Sequence, residues 1–178
     1  GIARGELRLY YQPKPRVSSG QVRRVEALVR WEHPTRGLLT PNHFIPLAER
    51  TGLMRPLTMW VLDEAMRQSR EWFTDGRSIK VAVNLSQQSL LDETIHEEVA
   101  RVLERHSMPA KALEIEITES ALVTDLAAAR NALERMVGVM NDWGTFDTWL
   151  ADYLVEPGMR RSVTASSFTA SLELAREG

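Results

Sequence analysis

Carboxylate and amide side chains stand within or at the end of four apolar, strand-like segments of this 178-residue sequence. They are Glu26, Asn84, Glu116 with Glu119, and the pair Asn141 and Asp142. In parallel β/α folds, catalytic groups gather at the carboxyl ends of the strands, where the loops meet. Carboxylate and amide oxygens suit a hard ion such as Mg²⁺ or Mn²⁺ rather than zinc. Such an ion can polarise a phosphate and activate water, so a metal site is one interpretation of the pattern.

Each of these residues also has a simpler interpretation. A polar residue at a strand end often caps the next helix or hydrogen-bonds within a loop. Glu26 could be exposed, or it could pair with Arg24 or Arg30. Their occurrence at successive strand ends favours a shared site, but the pattern alone leaves both interpretations open.

The elements that must position these residues alternate along the chain. Strands are predicted at 7–13, 22–31, 79–86, 112–120 and 137–142, and helices at 41–50, 56–76, 92–107 and 125–137. Residues 17–21 are predicted as a turn and 33–37 as a loop. This alternation predicts an α/β fold with a parallel sheet and helical crossovers. After residue 143 the alternation stops, and segments 143–154 and 166–177 have helical spacing.

Composition limits the classes of function. The net charge of −2 gives no sign of binding to nucleic acid polymers or to an acidic membrane surface. The absence of cysteine excludes disulfides and thiolate metal sites. We expect no membrane span and no signal peptide. The lack of cysteine fits a reducing compartment, and we expect a cytoplasmic domain. The chain begins at Gly1, so we expect it to be part of a longer protein.

Six segments together resemble the EAL domain, the cyclic di-GMP phosphodiesterase family. They are "LYYQPK" (9–14), "EALVRW" (26–31), "HPTRGLLTPNHFIPLAERTGL" (33–53), "WVLDEA" (60–65), "VAVNLS" (81–86) and "LEIEITES" (113–120). Their order and spacing are far more specific than a lone three-letter motif. The resemblance implies a TIM-like β/α barrel with the ligand across the carboxyl ends of its strands.

The resemblance also implies roles for individual residues. Metal ligands for Mg²⁺ or Mn²⁺ would be Glu26, Asn84, Glu116, Asn141 and Asp142, with Glu119 steadying the nearby loop. Gln12 and Arg30 would contact the ligand, Leu28 would line its surface, and residues 44–49 would border a guanine. The simpler alternatives are Leu28 as core, Arg30 as a partner of Glu32 and Gln12 as a strand-end hydrogen bonder.

The sequence departs from the family pattern after residue 137. The family motif Asp-Asp-Phe-Gly-Thr-Gly corresponds to "NDWGTF" (141–146), where Asn141 replaces the first aspartate and Phe146 the last glycine. The lysine that the family uses near the attacking water has no counterpart, because no lysine follows Lys111. A later glutamate-bearing strand also has no match. We therefore expect a single domain over 1–178 with an incomplete barrel: the end of a linker (1–6), a matched part (7–137) and a divergent, helix-rich part (138–178).

Two functions follow from the resemblance. The first is a metal-dependent phosphodiesterase that opens cyclic di-GMP to linear pGpG, with Glu26 in the catalytic site. The second is a catalytically inactive module for cyclic di-GMP binding, protein interaction or dimerisation. Expected partners are cyclic di-GMP and an N-terminal sensory or cyclase domain. The apolar residues of 143–154 favour packing against the chain's own sheet, and the alternative is that this segment is a helix that pairs with a second copy of the chain.

Overall fold

The computed structural model describes residues 1–15, 22–90 and 92–117. The strands are β1 (Leu7–Pro15), β2 (Val22–His33), β3 (Gly37–Leu39), β4 (Lys80–Leu85) and β5 (Leu113–Ile117). The α-helices are α1 (Ile45–Arg50), α2 (Met54–Thr74), α3 (Gln87–Leu90) and α4 (Ile95–Arg105). Short 3-10 turns cover Ile2–Arg4, Pro41–His43 and Ala110–Ala112.

The strands form one mixed sheet in the order β1-β2-β4-β5, with β3 also paired to β2. β2, β4 and β5 are parallel, as the alternation predicted, and helices connect them. The expectation of a parallel sheet was wrong for β1, which pairs antiparallel with β2. β3, where no strand was predicted, also pairs antiparallel with β2. Only residues 16–21 separate β1 from β2, and a parallel crossover needs a dozen residues or more.

One face of the sheet packs against α2 and α4 and forms the hydrophobic core. α2 buries a stripe at helical spacing that includes Leu62, Ala65 and Met66, all without solvent exposure. α4 buries Val99 and Val102 against the same core. β4 supplies the centre of this face because Val81, Val83 and Leu85 all point toward the helices. They belong to a larger cluster that includes Leu7, Val25, Ala27, Val81, Val83, Leu85, Leu113 and Ile115.

The opposite face of the sheet carries polar residues, since successive side chains of a strand point to opposite sides. Glu26 on β2, Asn84 on β4, and Glu114 and Glu116 on β5 all alternate with core residues. Glu26 therefore interrupts the apolar run of β2 because its side chain lies on the polar face of the sheet, opposite the helices.

Several predicted boundaries changed. The helix predicted from Pro56 begins two residues earlier, at Met54, because proline is tolerated within a first turn. The helix predicted at 92–107 begins at Ile95, because Asp92 accepts a hydrogen bond from the Thr94 backbone (2.9 Å) and forms a turn before it. The segment predicted as one helix at 41–50 is a 3-10 turn followed by α1.

The predicted turn at 17–21 and all elements predicted after residue 120 lie outside the described residues. Across the described ranges 1–15, 22–90 and 92–117, none of the helices combines the length and apolar character that a membrane crossing needs.

Candidate functional site

The register of the parallel strands brings Glu26, Asn84 and Glu116 to one edge of the sheet. Asn84 lies directly across from Glu116, and Glu26 lies across from Ala82. β2 continues to His33, but its pairing with β4 ends at Ala27. Glu26 therefore stands where the parallel part of the sheet ends, although it is in the first half of its own strand.

A hydrogen-bonded cluster joins these three side chains to Lys14. The amide nitrogen Nδ2 of Asn84 donates to Oε1 of Glu26 at 2.8 Å. The ammonium of Lys14 lies 3.2 Å from Oε2 of Glu26 and also donates to Glu116. The Glu116 side chain is only 3% exposed, whereas those of Glu26 and Lys14 are 22% and 28% exposed. The cluster thus opens to solvent on the side of β1 and β2.

Burial sets the electrostatics of this cluster. Burial raises the pKa of Glu116, and the nearby carboxylates of Glu26 and Glu114 raise it further against the opposing effect of Lys14. Burial also opposes the charge on Lys14, but hydrogen bonds to Glu116 and Glu26 outweigh it and raise the pKa of Lys14. Lys14 therefore keeps its proton at neutral pH and is unsuited to act as a general base.

The three side chains provide hard oxygen donors, the kind that Mg²⁺ and Mn²⁺ prefer. In the part of the chain that the structure describes, no group of three or more His, Cys, Asp or Glu could hold a metal by itself. The set at this edge is instead two carboxylates and one amide, which leaves coordination positions for water and other ligands. One ammonium contacts both Glu26 and Glu116, so the two carboxylates are close enough to share a single cation.

A cavity of about 490 Å³ lies beside Asn84, between the sheet edge and α1 and α2. Its walls are mostly apolar, as is usual for a small-molecule site. Its polar groups come from the end of β4 and from α1, α2 and the 3-10 turn before α1. The lining includes Leu28, Val29, Pro41, Ile45, Glu49, Val61, Asn84 and Ser86. Leu28 and part of segment 44–49 thus face the same cavity.

Three hydroxyl groups fix the loop that follows Asn84. Ser86 Oγ accepts a hydrogen bond from the Ser89 backbone at 3.1 Å and also lies 3.0 Å from Ser89 Oγ. Ser89 Oγ lies 2.8 Å from Thr58 Oγ1 of α2, and both of these residues are buried. This chain of hydroxyls ties the end of β4 to α2 and so helps to hold Asn84 in place.

The predicted ligand-contact residues occupy the face that carries Glu26. Gln12 on β1 lies directly across from Glu26 on β2. Arg30 follows Glu26 by four residues on β2, so its side chain lies on the same face. The guanidinium of Arg30 lies 6.0 Å from the ring centroid of Tyr10. Glu32, the alternative partner considered for Arg30, pairs with Arg8 at 2.7 Å.

The cation that contacts Glu26 differs from the arginines considered as its partners. Arg24 pairs with Glu114 at 2.8 Å, while Glu26 contacts Lys14. Sequence reasoning missed Lys14, although its spacing of two from Gln12 on one strand could have placed both on the same face. Glu119, Asn141 and Asp142 lie outside the described residues.

Comparison with known proteins identifies the same family throughout. The family model for the EAL domain matches residues 1–140. The chain is 43% identical over 150 residues to the bifunctional diguanylate cyclase/cyclic di-GMP phosphodiesterase MucR of Pseudomonas aeruginosa, covering 81% of this chain and 22% of that protein. It is 37% identical over 145 residues to the cyclic di-GMP phosphodiesterase PdeR of Escherichia coli, covering 79% and 22%. The chain therefore spans less than a quarter of the length of these curated relatives.

Solved structures agree with the sequence relatives. The PaMucR phosphodiesterase in complex with c-di-GMP superposes with a TM-score of 0.74 at 43% identity, covering 77% of this chain and 56% of that one. The FimX EAL domain of Pseudomonas aeruginosa bound to c-di-GMP has a TM-score of 0.71 at 21% identity, covering 85% and 63%, and supports the fold alone. The mixed sheet that the described residues form is consistent with part of the TIM-barrel-like fold of these domains. The chain belongs to the EAL domain family.

Proposed function

We propose that this chain binds cyclic di-GMP at the edge formed by β2, β4 and β5 and, with Mg²⁺ or Mn²⁺ bound, hydrolyses it to linear pGpG. The observation that carries the proposal is the convergence of Glu26, Asn84 and Glu116 beside a cavity of about 490 Å³. Relatives at 37–43% identity that are named cyclic di-GMP phosphodiesterases support the same choice of substrate.

The proposed metal ligands are Glu26, Asn84 and Glu116, with Asn141 and Asp142 as further candidates and Glu119 steadying the adjoining loop. A bound divalent ion would polarise a phosphate oxygen and favour ionisation of a water molecule. Asn84 would present its amide oxygen to the ion once its hydrogen bond to Glu26 is exchanged. Glu116, nearly buried, would hold the inner side of the site, and Glu26 the side open to solvent.

The chain's own residues would bind and orient the nucleotide. Leu28 would provide an apolar contact within the cavity. Arg30 would form a two-pronged hydrogen bond to a phosphate, for which a planar guanidinium is suited. The guanidinium of Arg30 lies 6.0 Å from the Tyr10 ring centroid, and the Arg8–Glu32 pair leaves the nearby carboxylate engaged elsewhere. Gln12 would hydrogen-bond the ligand from β1.

A second candidate function is cyclic di-GMP binding without hydrolysis. Asn141 stands where the family has an aspartate, and no lysine follows Lys111. The lysine that does enter the cluster, Lys14, keeps its proton. Loss of a general base costs on the order of 10²–10⁴ in rate, so binding could persist where turnover is very slow.

The test is product formation from cyclic di-GMP with Mn²⁺ or Mg²⁺, resolved by chromatography, together with calorimetric titration of the nucleotide. Glu26→Ala is the control, because it removes a proposed metal ligand at the solvent side of the cluster. Turnover that disappears in Glu26→Ala supports the phosphodiesterase. Nucleotide binding without turnover supports the second candidate, and the absence of both from folded protein contradicts both.

We further propose the setting of the domain. Residues 1–178 form one domain, with 1–6 ending a linker, 7–137 forming its matched part and 138–178 its divergent part. It works in the cytoplasm behind an N-terminal sensory or cyclase domain and pairs with a second copy through 143–154, which lies outside the described residues. Sedimentation over a range of concentrations tests the dimer, and a mass that stays monomeric would contradict it.

A further inference from the structure

We infer that Lys14 is a built-in cation that occupies the metal position when the site is metal-free and competes there with the divalent ion. The inference rests on the proposed metal site, but it concerns a residue to which neither the resemblance nor the relatives assign a role. Its consequence is that this chain binds Mg²⁺ and Mn²⁺ more weakly than its carboxylates alone would allow.

The position of the ammonium is the first argument. Lys14 Nζ contacts carboxylates on two different strands, Glu26 on β2 at 3.2 Å and Glu116 on β5. A metal ion ligated by both residues would have to lie between the same two carboxylates. The ammonium and the metal therefore claim the same space.

The state of the Glu26 carboxylate is the second argument. Oε1 accepts from Asn84 Nδ2 at 2.8 Å, and Oε2 lies 3.2 Å from Lys14 Nζ. Both oxygens are thus engaged by N–H groups. A metal ion that binds Glu26 must replace these contacts. The Lys14 ammonium must also move away, because two positive charges at contact distance in a partly buried site repel each other strongly.

Lys14 is able to leave the site without disturbing the sheet. Its side chain is 28% exposed, and its ammonium stands at the end of a flexible four-carbon stem that begins on β1. A neighbouring ion pair lies on the same face of the sheet, where Arg24 and Glu114 are 2.8 Å apart. Glu114 therefore has a cationic partner other than Lys14. Displacement of Lys14 would therefore affect the Glu26–Glu116 set and leave the Arg24–Glu114 pair in place.

The first experiment measures Mn²⁺ and Mg²⁺ affinity by calorimetric titration for the wild type, Lys14→Met and Lys111→Met. Methionine has a similar length and no charge, and Lys111 is an exposed lysine that serves as the matched control. Metal binding to the wild type must break the contacts of the Lys14 ammonium with Glu26 and Glu116, and such contacts to charged groups are strong. We therefore expect Lys14→Met to bind metal roughly 10- to 100-fold more tightly and Lys111→Met to bind it with unchanged affinity.

The second experiment follows urea unfolding without metal, using Lys14→Met, Glu116→Gln and the double variant. If Lys14 is the internal cation, each single variant is less stable than the wild type, and the double variant loses less than the two single losses added together. Adding Mn²⁺ is then expected to raise the midpoint of Lys14→Met more than that of the wild type.

The outcomes separate this inference from the proposed function. Tighter metal binding by Lys14→Met, with coupling to Glu116 in the metal-free protein, supports the inference. Equal affinity in the wild type and Lys14→Met overturns it and leaves the metal site intact. Failure of both proteins to bind metal overturns the metal site itself and the competition with it.

Discussion

The hydroxyl chain that follows Asn84 gives a sharp test of how the site is held. Ser89→Ala removes the central hydroxyl, which lies 2.8 Å from Thr58 Oγ1 and 3.0 Å from Ser86 Oγ. Both Thr58 and Ser89 are buried, so the variant leaves a buried hydroxyl without its partner. We expect the free energy of unfolding to fall by about 1–3 kcal/mol, the cost of an unsatisfied buried polar group.

The assay is urea unfolding followed by tryptophan fluorescence, with Ser78→Ala as the matched control. Ser78 is exposed, and its substitution is expected to change stability by less than about 0.5 kcal/mol. Thr58→Val combined with Ser89→Ala removes both partners, so the second substitution should cost less in that background than alone.

Additive losses in stability from the two substitutions would contradict a coupled pair of hydroxyls. If the two substitutions add to within about 0.3–0.5 kcal/mol, the hydroxyls do not depend on each other. If instead they are coupled, Ser89→Ala should also weaken Mn²⁺ binding, because the loop that holds Asn84 loses its tie to α2.

Three further predictions concern the core, the surface and the ligand face. Leu62→Ala, at a fully buried position, is expected to cost about 2–5 kcal/mol in urea unfolding, and a loss below 1 kcal/mol would contradict the assigned core. Burial opposes the charge of Asp63, but hydrogen bonds from His106 and Arg105 outweigh it and lower the pKa of Asp63. The stabilisation is therefore present above about pH 4 and lost as the pH falls further. The wild type is expected to be more stable than Asp63→Asn by at most about 1 kcal/mol at this partly exposed site, and acid unfolding curves should show this difference vanish. Arg30→Lys keeps the charge but loses the planar fork, so calorimetry should give about tenfold weaker cyclic di-GMP binding; unchanged affinity would remove Arg30 from the ligand contacts.

The sequence predicted the elements with a strong period better than their pairing. The apolar run 79–86 and the amphipathic segment 92–107 became β4 and α4, because their patterns match the burial they experience. The antiparallel pairing of β1 could not be read from its own apolar pattern. It follows from the short connection at 16–21, which leaves no room for a crossover helix.

The candidate site was likewise predicted only in part from the sequence. Glu26, Asn84 and Glu116 are predicted as site residues from their places in strands, and the strand register brings them to one edge. Lys14 was missed because a lysine before a proline and a predicted turn looks like a solvated strand end. Its contact with Glu116 joins residues 102 positions apart, and such a contact depends on the order of strands in the sheet.

The extension of β2 beyond its parallel partner has a consequence for how this sequence can change over time. Glu26, Leu28 and Arg30 alternate along one strand, so the proposed metal ligand, the proposed apolar contact and the proposed phosphate contact share a single period of two. Losing or gaining one residue between 26 and 30 would turn Arg30 toward the helices and bring a core side chain to the ligand face. Substitutions can adjust these three positions one at a time, whereas an insertion or deletion within this stretch would move the proposed metal ligand and the proposed nucleotide contacts to opposite faces in a single step.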